Sequence, residues 1–163
     1  MKIGNLVVVA CLCGLACANA AEKLTIEQIR QLMAATDAAA SRRDTAAIGA
    51  CLSRTFARNV DLSDTQPGYS FTVDREHYLS MIDAGWKKLD DYEYKRDDTS
   101  ISVAEDGLSA QSRSTITEET RTGGRRSVAR TREYAEYAIE DGKPVITSIE
   151  SFDLVVGPGD TSM

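Results

Sequence analysis

The sequence predicts an α+β domain, with helices gathered on one side of an antiparallel sheet. Three observations lead there. Apolar residues recur at helical spacing in the first half of the chain: Ile26, Ile29 and Met33, then Ile48, Cys51, Leu52 and Phe56. From Tyr92 onward the hydrophobic period changes to two, which is the signature of half-buried strands. The period-two runs are separated by "EDG", "TGG" and "EDGK", each suited to a hairpin turn. Helices followed by a run of hairpin-linked strands make a layered α+β fold rather than a parallel α/β one.

The elements follow in order. "LTIEQIRQLMAATDAAASRR" is a helix, opened by the capping-box spacing of Thr25 and Gln28. "RRDTAAIGACLSRTF" is a second, with Asp44 as N-cap. "ARNVDLSD" reads as a short strand and "TQPGYSF" as a turn around Pro67-Gly68. "TVDREHYLSMIDAGWKKLDD" is a third helix, capped by Asp74, with Tyr78, Met81, Ile82, Trp86 and Leu89 on its apolar face. Four long strands complete the chain: "YEYKRDDTSISVAEDG", "LSAQSRSTITEETRTGG", "RRSVARTREYAEYAIEDG" and "KPVITSIESFDLVVG".

The first twenty residues stand apart. Lys2 supplies an early positive charge, Leu6 to Ala18 an apolar run too short to span a bilayer, and Ala18-Asn19-Ala20 a small-x-small cleavage site. The expected organisation is a signal peptide over 1–20, one domain over 21–156 and a flexible tail over 157–163. A retained anchor and lipidation at Cys11 are the competing readings. Export makes the expected location periplasmic or secreted, with no membrane insertion after cleavage. Three of the four cysteines lie in the leader, leaving Cys51 as a small buried apolar group rather than half of a disulfide. The net charge is −6, which disfavours nucleic acid as a partner. No HxxxH-type spacing, P-loop, GxGxxG or GxSxG motif is present, so neither a metal nor a cofactor is expected.

The stretches "ATDAAASRRDTAAIGACLSRTF", "DREHYLSMI" and "EYAIEDGKPVITSIESFD" resemble the nuclear transport factor 2-like superfamily, in its SnoaL-like or ketosteroid-isomerase-like bacterial branch. The resemblance runs from about Thr25 to Asp153. It implies a cone: a strongly curved, cystatin-like sheet wrapped round three helices, with a pocket between them. It also implies a homodimer formed through the outer face of the sheet. Members of the superfamily include isomerases, cyclases, dehydratases, binding proteins and interaction modules. The readings carried forward are therefore non-catalytic binding of a small organic molecule or an envelope protein, acid–base catalysis by a pocket carboxylate, and a dimeric interaction module of the cell envelope.

Acid–base chemistry needs a carboxylate or His in an apolar pocket and a fixed hydroxyl to stabilise an enolate. On "SVARTREYAEYAIE" the smaller, more apolar face carries Ala129, Thr131, Glu133, Ala135, Tyr137 and Ile139. That alternation makes Glu133 the candidate acid and Tyr137 the donor, with Thr131, Ser112 and Ser114 beside them. Asp37, at the edge of the first helix's apolar stripe, is the second candidate acid. Trp86 is read as core or as pocket wall. His77 is the single histidine; a scytalone-dehydratase-like mechanism would pair it with an acid, but its place near a helix start favours capping or surface.

Overall fold

The computed structural model describes residues 23–61 and 70–158, with side chains as far as Phe152. The expected leader, the Pro67-Gly68 turn and residues 159–163 lie outside the described residues. Three helices, α1 (Ile26–Ser41), α2 (Thr45–Cys51) and α3 (Arg75–Trp86), accompany six strands: β1 (Leu52–Asp61), β2 (Ser70–Asp74), β3 (Asp91–Val103), β4 (Ser109–Thr122), β5 (Arg125–Glu140) and β6 (Lys143–Pro158).

Local chemistry accounts for most boundaries. α1 starts at a complete capping box, in which the Thr25 side chain accepts from the Gln28 N–H and the Gln28 side chain accepts from the Thr25 N–H. Asp44 and Asp74 cap α2 and α3 by accepting from the N–H groups of Ala47 and His77. The β4–β5 and β5–β6 turns place Gly123-Gly124 and Asp141-Gly142 at positive φ. That is the pair of left-handed residues a tight two-residue hairpin requires.

The second helix is shorter than its apolar pattern suggested. It stops at Cys51, and the chain is extended from Leu52. Leu52 and Phe56 are spaced by four, which satisfies a helix face and one face of a strand equally. Pairing settles the matter: β1 lies parallel to β6 and antiparallel to β2. The sheet order is β2-β1-β6-β5-β4-β3. β3 to β6 form the antiparallel meander, in perfect succession of neighbours. β6 runs on to Pro158, so the first two residues assigned to the tail pair with Val128 and Ser127 of β5.

Breaks in register between Arg130 and Thr131, between Glu136 and Tyr137, and between Asp97 and Ser100 bend the sheet. The sheet therefore curls round the helices. Ile29, Met33, Ala40, Ile48, Phe56, Ala135, Tyr137, Ile146 and Ile149 form the core between the layers. Side chains such as Phe56 and Ile29, buried almost completely, each stabilise the fold by about 1.5–3 kcal/mol through loss of apolar surface from water.

Candidate functional site

Helices and sheet do not close on one another completely. A cavity of about 240 Å³ remains between them. Its floor is Met33, Thr36 and Ala40 of α1 with Ile146 and Ile149 of β6, all buried; Phe71, Met81 and Trp86 line it as well, and of these Met81 is exposed. Such amphipathic clefts, mostly apolar with a few convergent polar groups, are where small ligands bind.

The polar groups come from the inward faces of four strands and α1. Arg96 of β3 is central. Its Nε donates to Asp37 Oδ1 at 2.9 Å, one terminal nitrogen to Glu133 Oε1 at 2.8 Å and the other to the Tyr94 hydroxyl at 2.8 Å. Arg58 of β1 lies on the far side of Glu133, with 4.0 Å from its Nη1 to Oε2, and donates to Ser151 Oγ at 2.9 Å. Its guanidinium sits 5.2 Å from the Tyr78 ring centroid. Further out, the Tyr92 hydroxyl donates to Glu118 Oε1 at 2.5 Å, and the Tyr92 ring lies 5.9 Å from Trp86.

Both guanidiniums are held firmly protonated. Burial works against the Arg96 charge, but Glu133, Tyr94 and Asp37 outweigh it. Burial likewise opposes the Arg58 charge, and Tyr78, Glu133 and Glu118 outweigh it. The phenols of Tyr78, Tyr92, Tyr94 and Tyr137 are all pushed above the ordinary tyrosine value, chiefly by burial, which disfavours the phenolate. They are hydrogen-bonding groups in neutral solution and not proton acceptors.

The inward face read from the alternation of β5 is the observed one. Glu133 is 7 % and Tyr137 2 % exposed, and both line the cavity with Thr131. The two candidate acids meet at one arginine: Arg96 bridges Glu133 and Asp37. Asp37 stands at the outer edge, its side chain 29 % exposed. Tyr137 does not reach Glu133; its hydroxyl bonds Ser112 Oγ at 2.8 Å. Ser114 is buried against Thr99, 3.2 Å away. Trp86 is half-buried and forms part of the cavity wall. His77 is 77 % exposed and bonds Asp74 at the start of α3, away from the cavity. The α1 acid is thus paired with an arginine, where the dehydratase-like reading would need a histidine. Cys51 is buried and unbridged. Among the described residues no group of three or more His, Cys, Asp or Glu side chains gathers as a metal site, and no helix is long and apolar enough to cross a membrane.

Arg58, Tyr78, Tyr92, Tyr94, Arg96 and Glu118 were missed by the sequence reading. Part of the signal was present. Tyr92, Tyr94 and Arg96 alternate on β3, and Glu118 continues the inward series Ser112, Ser114, Ile116 of β4. Arg58 carried no signal, because nothing in "ARNVDLSD" separates an inward arginine from a solvated one.

No protein-family model matches the chain, and no curated protein sequence matches it. Solved structures do. A candidate scytalone dehydratase from Novosphingobium aromaticivorans superposes with a TM-score of 0.67 at 12 % identity, over 83 % of this chain and 88 % of its own. The hexachlorocyclohexane dehydrochlorinase LinA-type3 from Novosphingobium barchaimii gives 0.67 at 10 % identity, over 83 % and 90 %. This chain has the nuclear transport factor 2-like fold. A protein of unknown function from Mycobacterium tuberculosis shares the architecture too, with a TM-score of 0.63 at 17 % identity, over 78 % of this chain and 70 % of its own. The nuclear transport factor 2-like fold thus serves enzymes and proteins without an assigned activity, and at these identities the likeness speaks for architecture alone.

Proposed function

We propose that this protein binds a small organic molecule in the cavity of its cone without transforming it, and that it does so outside the cytoplasm, in the periplasm or secreted. One observation carries the binding reading. Each carboxylate of the polar network is already engaged by a donor: Glu133 and, outside the lining, Asp37 by Arg96, and Glu118 by Tyr92. A general base must present a lone pair to the substrate; the ion pairs with Arg96 commit Glu133 and Asp37 to holding the site in shape, while Glu118, bonded to Tyr92 through one oxygen, is left to meet a ligand. The space between them remains open and is walled by Tyr78, Trp86, Tyr92 and Tyr94. Native mass spectrometry of the protein purified from its own cells tests this. A retained small molecule supports binding, and a bare chain that also refuses every offered aromatic compound would overturn it. The leader-like segment 1–20 motivates the location; N-terminal sequencing of the purified protein tests it, and an intact Met1 with cytoplasmic fractionation would refute export.

A second reading, acid–base catalysis, has one observation in its favour. Among the described residues Glu118 forms no ion pair and accepts from the Tyr92 phenol through one oxygen, so it is the carboxylate least committed to the network and the one a substrate can reach in the cavity lining. Turnover that is lost in Glu118→Gln and survives in Glu133→Gln would establish that reading in place of simple binding.

Self-association through the outer face of the sheet is proposed as well. Arg113, Tyr134 and Glu150 stand in one row across β4, β5 and β6. A two-fold axis running along β5 between facing copies lays the Arg113 of each against the Glu150 of the other, as an isologous interface requires. Light scattering on the purified protein, with Arg113→Glu as the disrupting variant, distinguishes a dimer from a monomer.

A further inference from the structure

The charges at the cavity form an alternating series that ends unevenly. Asp37 meets Arg96 at 2.9 Å, Arg96 meets Glu133 at 2.8 Å, and Glu133 faces Arg58 at 4.0 Å. The next charge is Glu118. Among the described residues it forms no ion pair, and its hydrogen-bond partner is the Tyr92 phenol. Three carboxylates thus answer two guanidiniums. One end of the series, Asp37, is partly solvated and lies outside the cavity lining; the other end, Glu118, is in that lining. A carboxylate in a partly dehydrated, aromatic-walled space interacts more strongly with an opposite charge than it would in water.

The rings repeat the pattern. Arg58 lies over Tyr78 at 5.2 Å, Arg43 over Tyr92 at 5.9 Å and Arg96 over Tyr94 at 6.0 Å. Among the described residues no arginine stands over Trp86, whose indole is the strongest π partner for a cation. Trp86 stands against Tyr92, the residue that holds Glu118. The carboxylate without an ion pair and the indole without an arginine therefore adjoin the same residue of the cavity wall.

We propose that the cavity takes an organic monocation, a primary or substituted amine with an apolar body, its nitrogen against Glu118 and the Trp86 ring and its body in the apolar floor. This rests on the binding reading given above. The cation completes the alternation, and the ammonium N–H groups find the Glu118 oxygen that Tyr92 leaves available. An anion placed there would meet Glu118 directly, with Arg58 and Arg96 already drawn to Glu133 and Asp37. The chain's net charge of −6 adds a long-range attraction for cations of the same kind.

Three probes sharing one ring system test the assignment: naphthylmethylammonium, naphthol and naphthoate, titrated calorimetrically into the full chain at about neutral pH, where the first is charged positive and the last negative. The ammonium is expected to bind at least about tenfold tighter than the alcohol, with the carboxylate weakest. In Glu118→Gln the ammonium loses that advantage, while naphthol keeps its affinity within about twofold, which also shows that the variant's cavity is intact. Naphthol or naphthoate binding as tightly as the ammonium, or a cation preference that survives Glu118→Gln, overturns the inference and leaves the binding reading standing. If none of the three binds, both fall.

Discussion

Replacing Arg96 by Met removes the group on which the interior polar network converges. Arg96 satisfies Glu133, Asp37 and Tyr94 at once, and the Arg96 and Glu133 side chains are only 10 % and 9 % exposed. Breaking a buried ion pair by deleting one partner costs about 3–5 kcal/mol, because the remaining charge is stranded. Two features of the structure place this case at the lower end. Arg58 remains 4.0 Å from Glu133, and Asp37 is exposed enough to recover water. The expectation is about 3 kcal/mol, a large part of a typical domain's stability. For a chain of this size that corresponds to a melting temperature lower by roughly 6–12 °C. Urea unfolding followed by the fluorescence of Trp86, the chain's one tryptophan, measures it. The double variant Arg96→Met/Glu133→Gln supplies the control. With the stranded charge removed, it should be more stable than Arg96→Met alone by about 1–2 kcal/mol, a coupling expected between residues in direct contact. A loss under about 0.5 kcal/mol in Arg96→Met, the range of an ordinary surface substitution, would refute the reasoning. So would strictly additive effects in the double variant.

Two further outcomes follow from the titration behaviour of the site and of the helix caps. Because Tyr78, Tyr92, Tyr94 and Tyr137 have raised values in the folded state, their contribution to stability is complete below the unfolded tyrosine value of about 10 and is lost as pH rises above it. An alkaline absorbance titration should show these phenols ionising together with unfolding, and smooth ionisation of all tyrosines in the native state would contradict their burial. At the start of α3, Asp74 is held below the usual carboxylate range first by the His77 backbone N–H and then by the His77 ring. Its cap therefore stabilises above the unfolded value of about 4 and is lost as pH falls through the lower folded one. Asp74→Ala should lower the melting temperature at neutral pH and cost progressively less below about pH 4, and a pH-independent penalty would show that the charge on the cap does not matter.

How much of this was legible beforehand differs from level to level, for physical reasons. Hairpin turns and caps are local chemistry. Thr25 with Gln28, Asp44, Asp74, Gly123-Gly124 and Asp141-Gly142 act within a few residues of themselves, and the structure uses each as its type suggests. The inward face of β5 was legible because a strand has a period of two: placing Ala135 in the core carries Glu133 and Tyr137 with it. The stretch 52–56 was misread because an apolar spacing of four fits two backbones, and only pairing with β6 selects one.

The partners of the polar residues belong to another level. Glu133 of β5, Arg96 of β3, Asp37 of α1 and Arg58 of β1 are brought within reach of one another by sheet curvature and by the parallel β1–β6 pairing. No local pattern encodes either. From the sequence alone, then, came the class of fold, the order of the helices and of the four-strand meander and the inward face of β5, since these depend on periodicity and turn chemistry along the chain; β2 (Ser70–Asp74), read as turn and helix start, is a strand only because it pairs with β1. Tertiary structure alone decided that Glu133 is a clamped member of a network and that Glu118 lines the cavity with the Tyr92 phenol as its hydrogen-bond partner, since both depend on which distant strands the fold makes neighbours.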